Sequence, residues 1–278
     1  MAKILAKRKL APEIYFFEVA APLVAAKAQP GHFVIVRADQ TGERIPLTIV
    51  DYDREGGTID LVVQRVGAST QELASLAVGD SFLDLLGPLG EPVEIEKIGT
   101  VVCVAGGLGV APVYPKAKYL KEAGNEVINI VGARTAEMVI MKEEMSEVAD
   151  EIYFSTDDGS LGHEGFVTEV LDSLLAEGKE VDEVIAVGPA IMMKGVAEVT
   201  AKYDVDTIVS LNPIMVDGTG MCGGCRVTVG EETKFACVEG PAFDGHLVDF
   251  DELMRRQGHY QSKEEKAEHK CKLEKEVE

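Results

Sequence analysis

The sequence predicts a small antiparallel β-barrel, followed by a doubly wound α/β domain with a parallel sheet and a short cysteine-bearing subdomain. Three observations support this prediction. Short β-like segments fill the chain up to about Glu96, apolar runs alternate with helical segments from Thr100 onward, and three cysteines cluster after Asn212. These changes give four expected regions, at residues 1–97, 98–211, 212–248 and 249–278.

The first region carries six β-like segments separated by turn signals such as PG, EGG and GD. Strands at this spacing are typical of a small antiparallel barrel. We expect one helix here, because Ser69 and Glu72 have the spacing of a capping box. The six segments are AKILAKRKL, EIYFFEVA, HFVIVRA, IPLTIVDY, TIDLVVQRV and DSFLDLLGP.

The second region alternates apolar, β-branched runs with segments of helical periodicity. Such alternation predicts a parallel sheet with helices on both faces. The runs are TVVCVAG, EVINIVGA, EIYFST, DEVIAVG and DTIVSL, and the helical segments include PVYPKAKYLKEAG, FVTEVLDSLLAEG and AIMMKGVAEVTAKY. From about Asp249 the chain is polar, so we expect a solvated helix or a disordered tail that carries no chemistry.

The composition argues against several classes of partner. The chain of 278 residues has a formal net charge of −21, which disfavours nucleic acid and anionic membrane surfaces. No apolar run approaches the roughly 20 residues of a membrane span, and the basic N-terminus lacks an apolar signal core. We therefore expect a cytoplasmic protein that binds neither nucleic acid nor membrane.

A glycine-rich turn joins the first apolar run of the second region to a helical segment. Gly106, Gly107 and Gly109 would let the backbone approach a pyrophosphate, and the following helix would direct its free N–H groups at that anion. Pro112 suits the first helical turn, where its missing N–H costs nothing. The turn therefore indicates nucleotide binding, although a tight strand–helix connection without a ligand is the alternative.

Further candidates lie where later strands of the parallel sheet end, the edge at which such sheets bind ligands. The second strand ends in Arg134 rather than in the usual acidic residue, which leaves the choice between NAD and NADP open. Asp157 and Asp158 follow the third strand, and Gly188-Pro189 follows the fourth.

The barrel offers a second place for a dinucleotide. Gly67 precedes the helix expected at Ser69, and a helix N-terminus of this kind can hold an anion. Arg44 and Thr48 stand about twenty residues upstream, before and within a strand. Taken alone, these residues favour ordinary turn chemistry over a second dinucleotide site.

Three of the five cysteines form a motif with an aspartate. From Asp217 the spacing is Asp-x4-Cys-x2-Cys-x11-Cys, ending at Cys222, Cys225 and Cys237. With aspartate in the first place, this is the C-x4-C-x2-C spacing of plant-type 2Fe–2S proteins. Three alternatives remain open: Asp217 shapes a turn only, Cys271 in the tail supplies the fourth ligand, or a zinc ion is bound with His246. Cys103 lies inside an apolar run and is expected in the core.

Taken together, these motifs resemble the ferredoxin–NADP reductase superfamily. The resemblance is greatest to the branch that holds the electron-transfer subunit of dihydroorotate dehydrogenase and the small subunit of NADH-dependent reduced ferredoxin:NADP oxidoreductase, also described as a sulfide dehydrogenase subunit. It extends over nearly the whole chain, to about residue 258. The segments that carry it are RIPLTIVD, GASTQEL, GPLGEP, GGLGVAP, TDDGSLGHEGFVT, VGPAIMMK, SLNPIMVDGTGMCGGCRV and FACVEGPAFDGHLVDFDEL.

The resemblance implies a cofactor for each region. FAD would lie in the barrel, a nicotinamide dinucleotide on the α/β domain, with NAD(H) favoured over NADP(H), and a 2Fe–2S cluster in the C-terminal iron–sulfur subdomain. Flavin contacts would come from Pro46, Leu47 and Thr48, and pyrophosphate contacts from Gly67, Ser69 and Thr70. The cluster ligands would be Asp217 with the three cysteines, and dihydroorotate relatives carry cysteine at the aspartate position.

The resemblance also implies a function. The chain would be an oxidoreductase subunit that passes electrons between a nicotinamide dinucleotide and a larger flavin and iron–sulfur subunit in a heterodimer that bifurcates electrons. The alternatives are an electron-transfer subunit of dihydroorotate dehydrogenase and, from another class, a zinc-bearing regulatory subunit that binds a nucleotide. Two departures stand out: Ile45 occupies the usual arginine position of the flavin motif, next to Arg44, and Val187 replaces a cysteine near the nicotinamide.

Overall fold

The computed structural model describes residues 2–260. Seven antiparallel strands form the first sheet, in the order β6-β1-β2-β5-β4-β3-β7. The two edge strands, β6 and β7, are consecutive in the chain with only Leu83 between them, so the two edges lie close together and the sheet forms a nearly closed barrel. The strands are β1 Ala2–Ala11, β2 Ile14–Ala20, β3 Phe33–Arg37, β4 Ile45–Asp53, β5 Thr58–Gln64, β6 Ser81–Phe82 and β7 Asp84–Leu89.

The barrel differs from the sequence-based expectation at three points. The segment DSFLDLLGP is two strands, because β6 pairs with β1 whereas β7 pairs with β3. A one-turn helix, α1 (Pro22–Ala25), was not expected. The predicted capping box is wrong: α2 (Ala68–Ser75) begins at Ala68, and the Thr70 hydroxyl accepts hydrogen bonds from the amides of Val66 and Gly67 at 2.9 and 3.0 Å.

The second sheet has a parallel core, which confirms the predicted α/β architecture. Its order is β11-β10-β9-β8-β12-β13-β16, and only the pairing of β13 with β16 is antiparallel. The chain forms this sheet from β8 Thr100–Gly106, β9 Glu126–Ala133, β10 Glu151–Thr156, β11 His163–Glu164, β12 Glu183–Val187, β13 Asp206–Ser210 and β16 Ala242–Asp244. The helices of this domain are α3 Val110–Glu122, α4 Lys142–Glu147, α5 Val167–Ala176 and α6 Ala190–Thr200.

The cysteine-bearing segment contributes an edge strand to this sheet. A hairpin of β14 (Arg226–Val229) and β15 (Glu232–Phe235) follows the first two clustered cysteines, and β16 then becomes the edge strand of the parallel sheet. The chain continues into α7 (Phe250–Gln257), where a polar tail was expected. Phe250 and Leu253 of that helix are buried in the same core as Cys225 and Cys237, so α7 supports the cysteine loop. Cys271 lies outside the described residues.

Helix α3 fixes the barrel against the α/β domain. Its Lys118 ammonium contacts both carboxylate oxygens of Asp51 on β4, at 2.8 and 3.0 Å. One residue further along each element, the rings of Tyr52 and Tyr119 stack with centroids 6.0 Å apart. These contacts hold the glycine turn at the start of α3 in front of the barrel. No helix among the described residues is long and apolar enough to cross a membrane.

Candidate functional site

A cleft of about 670 Å³ opens between the barrel and the carboxyl edge of the parallel sheet. The barrel side is formed by β4 and β5, and the opposite side by the turns that follow β8, β9, β12 and β13. Ten residues singled out from the sequence meet there: Pro46, Leu47, Thr48, Gly106, Gly107, Gly109, Pro112, Arg134, Gly188 and Pro189. The cleft therefore joins the flavin stretch and the nucleotide turn, which are separated by more than fifty residues in the sequence.

Each of the three glycines in this turn stands at a position that a larger residue would disturb. A Cβ on Gly109 would lie 2.1 Å from the carbonyl oxygen of Val187, so the start of α3 can pack against β12 only without a side chain. A Cβ on Gly106 would meet the Met192 sulfur at 2.4 Å. Gly107 has φ +55°, and a Cβ there would meet nothing within 4 Å, so this glycine serves backbone conformation. The turn thus leaves its amides and the N-terminus of α3 open to an anion.

A second cleft of about 420 Å³ adjoins the first at the same sheet edge. Arg134, at the end of β9, lines both clefts, and Asp157, at the end of β10, lines the second. Asp158 does not line this cleft, and its carboxylate accepts a hydrogen bond from the Ser160 amide at 3.0 Å. Hydrogen bonds from Ser160 lower the pKa of Asp158. The second cleft can take the remaining half of a dinucleotide whose first half lies at the glycine turn.

The start of α2 is less open than the sequence suggested. Thr70 already occupies the amides of Val66 and Gly67, and the Ser69 hydroxyl donates to the Glu43 carboxylate at 2.7 Å. Of these residues only Val66 lines the main cleft. A pyrophosphate that used the Val66 and Gly67 amides would have to replace the Thr70 hydroxyl there.

Arg44 is not brought to the cleft. Its Nε donates a hydrogen bond at 3.0 Å to the carbonyl oxygen of Val216, which precedes Asp217. The arginine therefore joins the barrel to the cysteine segment, 172 residues away along the chain.

Asp217 is fixed by the loop that it begins. Its two carboxylate oxygens accept hydrogen bonds from the amides of Thr219 at 2.8 Å and Cys222 at 2.7 Å. Those bonds, the one from Thr219 first, lower the pKa of Asp217 below its ordinary value, so the group is ionised. Asp217 therefore shapes a turn, which was one of the alternatives in the sequence analysis. Its carboxylate oxygens also lie next to Cys222, and each oxygen keeps a lone pair that could bind a metal.

The cysteine sulfurs are arranged for thiolate ligation. The Cys225 and Cys237 sulfurs are 3.2 Å apart and buried, whereas Cys222 is exposed. The Gly220 amide points at the Cys237 sulfur at 3.2 Å, and the Gly224 amide at the Cys222 sulfur at 3.4 Å. Amides that point at sulfur stabilise the negative charge of ligated thiolates. The loop thus brings its candidate cluster ligands together as two pairs, Asp217 beside Cys222 and Cys225 beside Cys237.

A single zinc ion fits the segment less well. His246, the proposed fourth zinc ligand, has its Nε2 3.0 Å from the Thr200 hydroxyl, and its Nδ1 faces Asp244. Within residues 2–260, no three histidine, cysteine or carboxylate side chains converge as the ligands of one metal ion would. The histidine is engaged elsewhere, so the zinc alternative that used it is not supported.

Several lining residues were not named as site residues in the sequence analysis. They reach the cleft from the loop after β13, from the barrel and from the segment before β16: Phe33, Gln64, Leu108, Asn212, Pro213, Met215 and Pro241. The dipeptide Asn212-Pro213 is a recognisable turn signal after a predicted strand. Its position at the carboxyl edge of the sheet could have marked it as a candidate.

Comparisons with known proteins agree with this geometry. Residues 212–249 match the iron–sulfur cluster binding domain of dihydroorotate dehydrogenase B, and residues 103–198 match the oxidoreductase NAD-binding domain. The chain is 49% identical to a Thermotoga maritima protein named as a homologue of the dihydroorotate dehydrogenase B electron-transfer subunit, over 94% of this chain and 92% of that one. It is 34% identical to the electron-transfer subunit of that enzyme from Enterococcus faecalis, over 89% and 97% of the two chains.

A solved structure is similar over the whole length. It is described as giving insights into flavin-based electron bifurcation via the NADH-dependent reduced ferredoxin-NADP oxidoreductase, with 46% identity, a TM-score of 0.94 and 98% of both chains covered. A ferredoxin reductase of carbazole 1,9a-dioxygenase, at 22% identity and a TM-score of 0.64, shares the fold. These matches confirm the predicted resemblance and cofactor set. The chain belongs to the family of electron-transfer subunits of dihydroorotate dehydrogenase B and their homologues, oxidoreductase subunits that use FAD, a 2Fe–2S cluster and a nicotinamide dinucleotide.

Proposed function

We propose that the chain passes electrons between NAD(H) and a larger flavin and iron–sulfur subunit, by way of FAD and the 2Fe–2S cluster, in an electron-bifurcating heterodimer of the cytoplasm. The proposal takes its partner from the solved structure at 46% identity, whose description names flavin-based bifurcation. Asp217 in the first ligand position supports this branch over the dihydroorotate branch, where the resemblance implies cysteine.

One observation carries the proposal: the candidate flavin stretch and the nucleotide turn line a single cleft, and the segment that leads to the cluster ligands borders it. Pro46 on the barrel and Pro189 on the α/β domain line it from opposite domains, and Met215 lines it two residues before Asp217. A flavin can exchange two electrons with a nicotinamide and single electrons with a cluster, so a site between those two is where it is needed.

In this proposal the residues of the chain bind and orient the cofactors, and no side chain transfers a proton. The turn at Gly106–Gly109 and the start of α3 receive the pyrophosphate of the nicotinamide dinucleotide, with Arg134 beside it. Pro46, Leu47 and Thr48 contact the flavin from the barrel, where their mainly apolar surface excludes water. Asp217, Cys222, Cys225 and Cys237 hold the cluster, and the amides of Gly220 and Gly224 stabilise the thiolates.

The test is anaerobic purification of the chain with its cofactors, followed by visible spectroscopy and metal analysis. We expect flavin bands, a cluster shoulder, about two irons per chain, and loss of both absorptions when NADH is added. NADPH at the same concentration is the control and should act more slowly. A colourless, zinc-containing protein, or one that NADH leaves oxidised, would contradict the proposal.

The dihydroorotate dehydrogenase subunit remains a second candidate, because the cysteine segment matches the cluster domain of that enzyme. Identification of the copurifying partner separates the two. A flavin subunit that oxidises dihydroorotate would favour the second candidate, whereas a larger subunit that carries flavin and further iron–sulfur clusters would favour the first.

A further inference from the structure

The loop that follows β13 contributes a side-chain amide to the main cleft. Leu211, Asn212 and Pro213 all line this cleft at the carboxyl edge of the parallel sheet. The Leu211 amide donates a hydrogen bond to the Pro241 carbonyl at 2.9 Å, and a proline restricts the residue before it to extended conformations. Asn212 is therefore held by both of its neighbours, and it is exposed rather than packed in the core.

The hydrogen bonds of Gln257 determine which atom of the Asn212 amide is already engaged. The Nε2 atom of Gln257 lies 3.1 Å from the backbone carbonyl oxygen of Asn212 and 3.0 Å from its Oδ1. A backbone carbonyl only accepts, so the Gln257 atom beside it must be the amide nitrogen. That nitrogen only donates, so the Asn212 atom beside it must be the oxygen. The atom that Asn212 retains for a ligand in the cleft is therefore the donor, Nδ2.

The orientation of the Asn212 amide is set from outside the parallel sheet. Gln257 is the last residue of α7, 45 residues further along the chain. Phe250 and Leu253 of the same helix are buried in the core that contains Cys225 and Cys237. The helix that supports the cysteine loop thus also determines that Asn212 offers a donor, and not an acceptor, in the cleft.

A donor at this position has a specific kind of acceptor available. Most side chains that line the cleft are apolar, Phe33, Leu47 and Met215 among them, and the few polar groups of such a pocket orient its ligand. Flavin and nicotinamide both carry carbonyl oxygens conjugated with the redox-active ring, the flavin on its pyrimidine ring and the nicotinamide on its carboxamide. Nδ2 of Asn212 matches a carbonyl oxygen of this kind, whereas Oδ1 in its place would repel it.

We infer that Asn212 binds the redox cofactors of the cleft by donating a hydrogen bond from Nδ2 to such a carbonyl oxygen, and that Gln257 is the positioning residue that sets the polarity of its amide. This inference rests on the proposed function, since it takes the flavin and the nicotinamide to lie in this cleft. A hydrogen bond to a flavin carbonyl stabilises the negative charge of the reduced ring and so raises the flavin potential. A hydrogen bond to the carboxamide instead holds the nicotinamide in position.

The experiment measures two properties of the cofactor-loaded chain: the midpoint potential of the flavin, by spectroelectrochemical titration, and the dissociation constant of NAD+. Asn212→Ala removes the donor. Gln257→Glu places a carboxylate beside Oδ1, which should reverse the Asn212 amide, and Gln257→Met breaks the same contact without a charge. Gln29→Glu is the matched control, because it adds the same charge at an exposed glutamine of the barrel. The visible spectrum of each variant is checked for flavin and cluster.

The two sources of the carbonyl oxygen give different results. If the acceptor is the flavin, Asn212→Ala and Gln257→Glu should both shift the flavin potential to more negative values. If it is the carboxamide, both should raise the dissociation constant of NAD+ about fivefold, the effect of one hydrogen bond. Gln257→Met should change the same property by less, and Gln29→Glu should change neither.

The inference would be overturned by an Asn212→Ala variant with the flavin potential and the NAD+ affinity of the unaltered chain, while the proposed function stood. A Gln257→Glu variant that behaves like Gln29→Glu would exclude the positioning role of Gln257. An unaltered chain that carries no flavin, or whose flavin NADH does not reduce, would instead contradict the proposed function.

Discussion

The buried lysine of α3 gives the sharpest prediction about stability. Lys116 is 1% exposed, and its Nζ has no hydrogen-bond partner among the described residues. Burial is the main cause that lowers its pKa from 10.5 to about 8, against smaller upward effects of Cys103 and Glu183. At about 1.4 kcal/mol per pKa unit, the charge costs the folded state about 3 kcal/mol at pH 7. Lys116→Met, which keeps the length and removes the charge, should recover most of that free energy.

The sign of the pH dependence follows from proton binding. Between pH 8 and 10.5 the unfolded chain holds a proton on Lys116 that the folded chain has released, so folded stability rises with pH in this window. The cost is complete below about pH 8 and absent above 10.5. The advantage of Lys116→Met should therefore be largest at neutral pH and should shrink as the pH approaches 10.5.

The assay is the midpoint of thermal unfolding of the cofactor-loaded protein, followed by circular dichroism from pH 7 to 10.5. A gain of about 3 kcal/mol corresponds to a rise of roughly 6–12 °C. Lys118→Met is the matched control on the same helix and should lower the midpoint, because Lys118 pairs with Asp51 at 2.8 Å. A midpoint for Lys116→Met that is unchanged at pH 7, or a gain that stays constant over the pH range, would refute the argument.

Three further predictions concern the cofactor sites. Gly109→Ala should weaken NADH binding roughly tenfold or more in a binding titration, because the added Cβ would lie 2.1 Å from the Val187 carbonyl oxygen. Gly107→Ala is the control, since its Cβ would meet no atom and the variant should cost only about 1 kcal/mol of backbone strain. Asp157→Asn should raise the NADPH to NADH ratio of kcat/KM about tenfold by removing a carboxylate that repels a 2′-phosphate, and an equal effect of Asp158→Asn would contradict this. Asp217→Cys should retain a cluster with a changed redox potential, and an unchanged potential and spectrum would count against ligation by aspartate.

The sequence predicted those features whose signals are local. Alternation of apolar residues marked the barrel strands, and β-branched runs marked the five parallel strands of the second sheet, since burial on both faces selects such residues. The cysteine spacing and the glycine turn could also be recognised from the sequence, because each is a pattern of residues that lie close together in the chain. That Pro46 and Gly106 line one cleft was seen only in the structure.

Features that depend on distant partners could not be read in this way. The strand segment DSFLDLLGP divides at Leu83 because its halves pair with β1 and β3, which flank opposite edges of the sheet. Phe250 looked like part of a polar tail, although it is buried beneath the cysteine loop. Arg44 fits a flavin motif shifted by one residue, yet its partner is the Val216 carbonyl at the far end of the chain. In each case the deciding contact comes from a segment that local periodicity does not identify.

The two interpretations of Asp217, as a turn residue and as a cluster ligand, support each other. A carboxylate at the start of an Asp-Gly turn accepts amides from the residues that follow it, here Thr219 and Cys222. Those bonds fix the side chain before any metal arrives and keep it ionised, which a ligand requires. They also draw electron density from the oxygens, so the aspartate should be a weaker donor to iron than a thiolate. Cysteine at this position would lose the amide bonds along with the harder donor, and a change in cluster potential is the expected consequence.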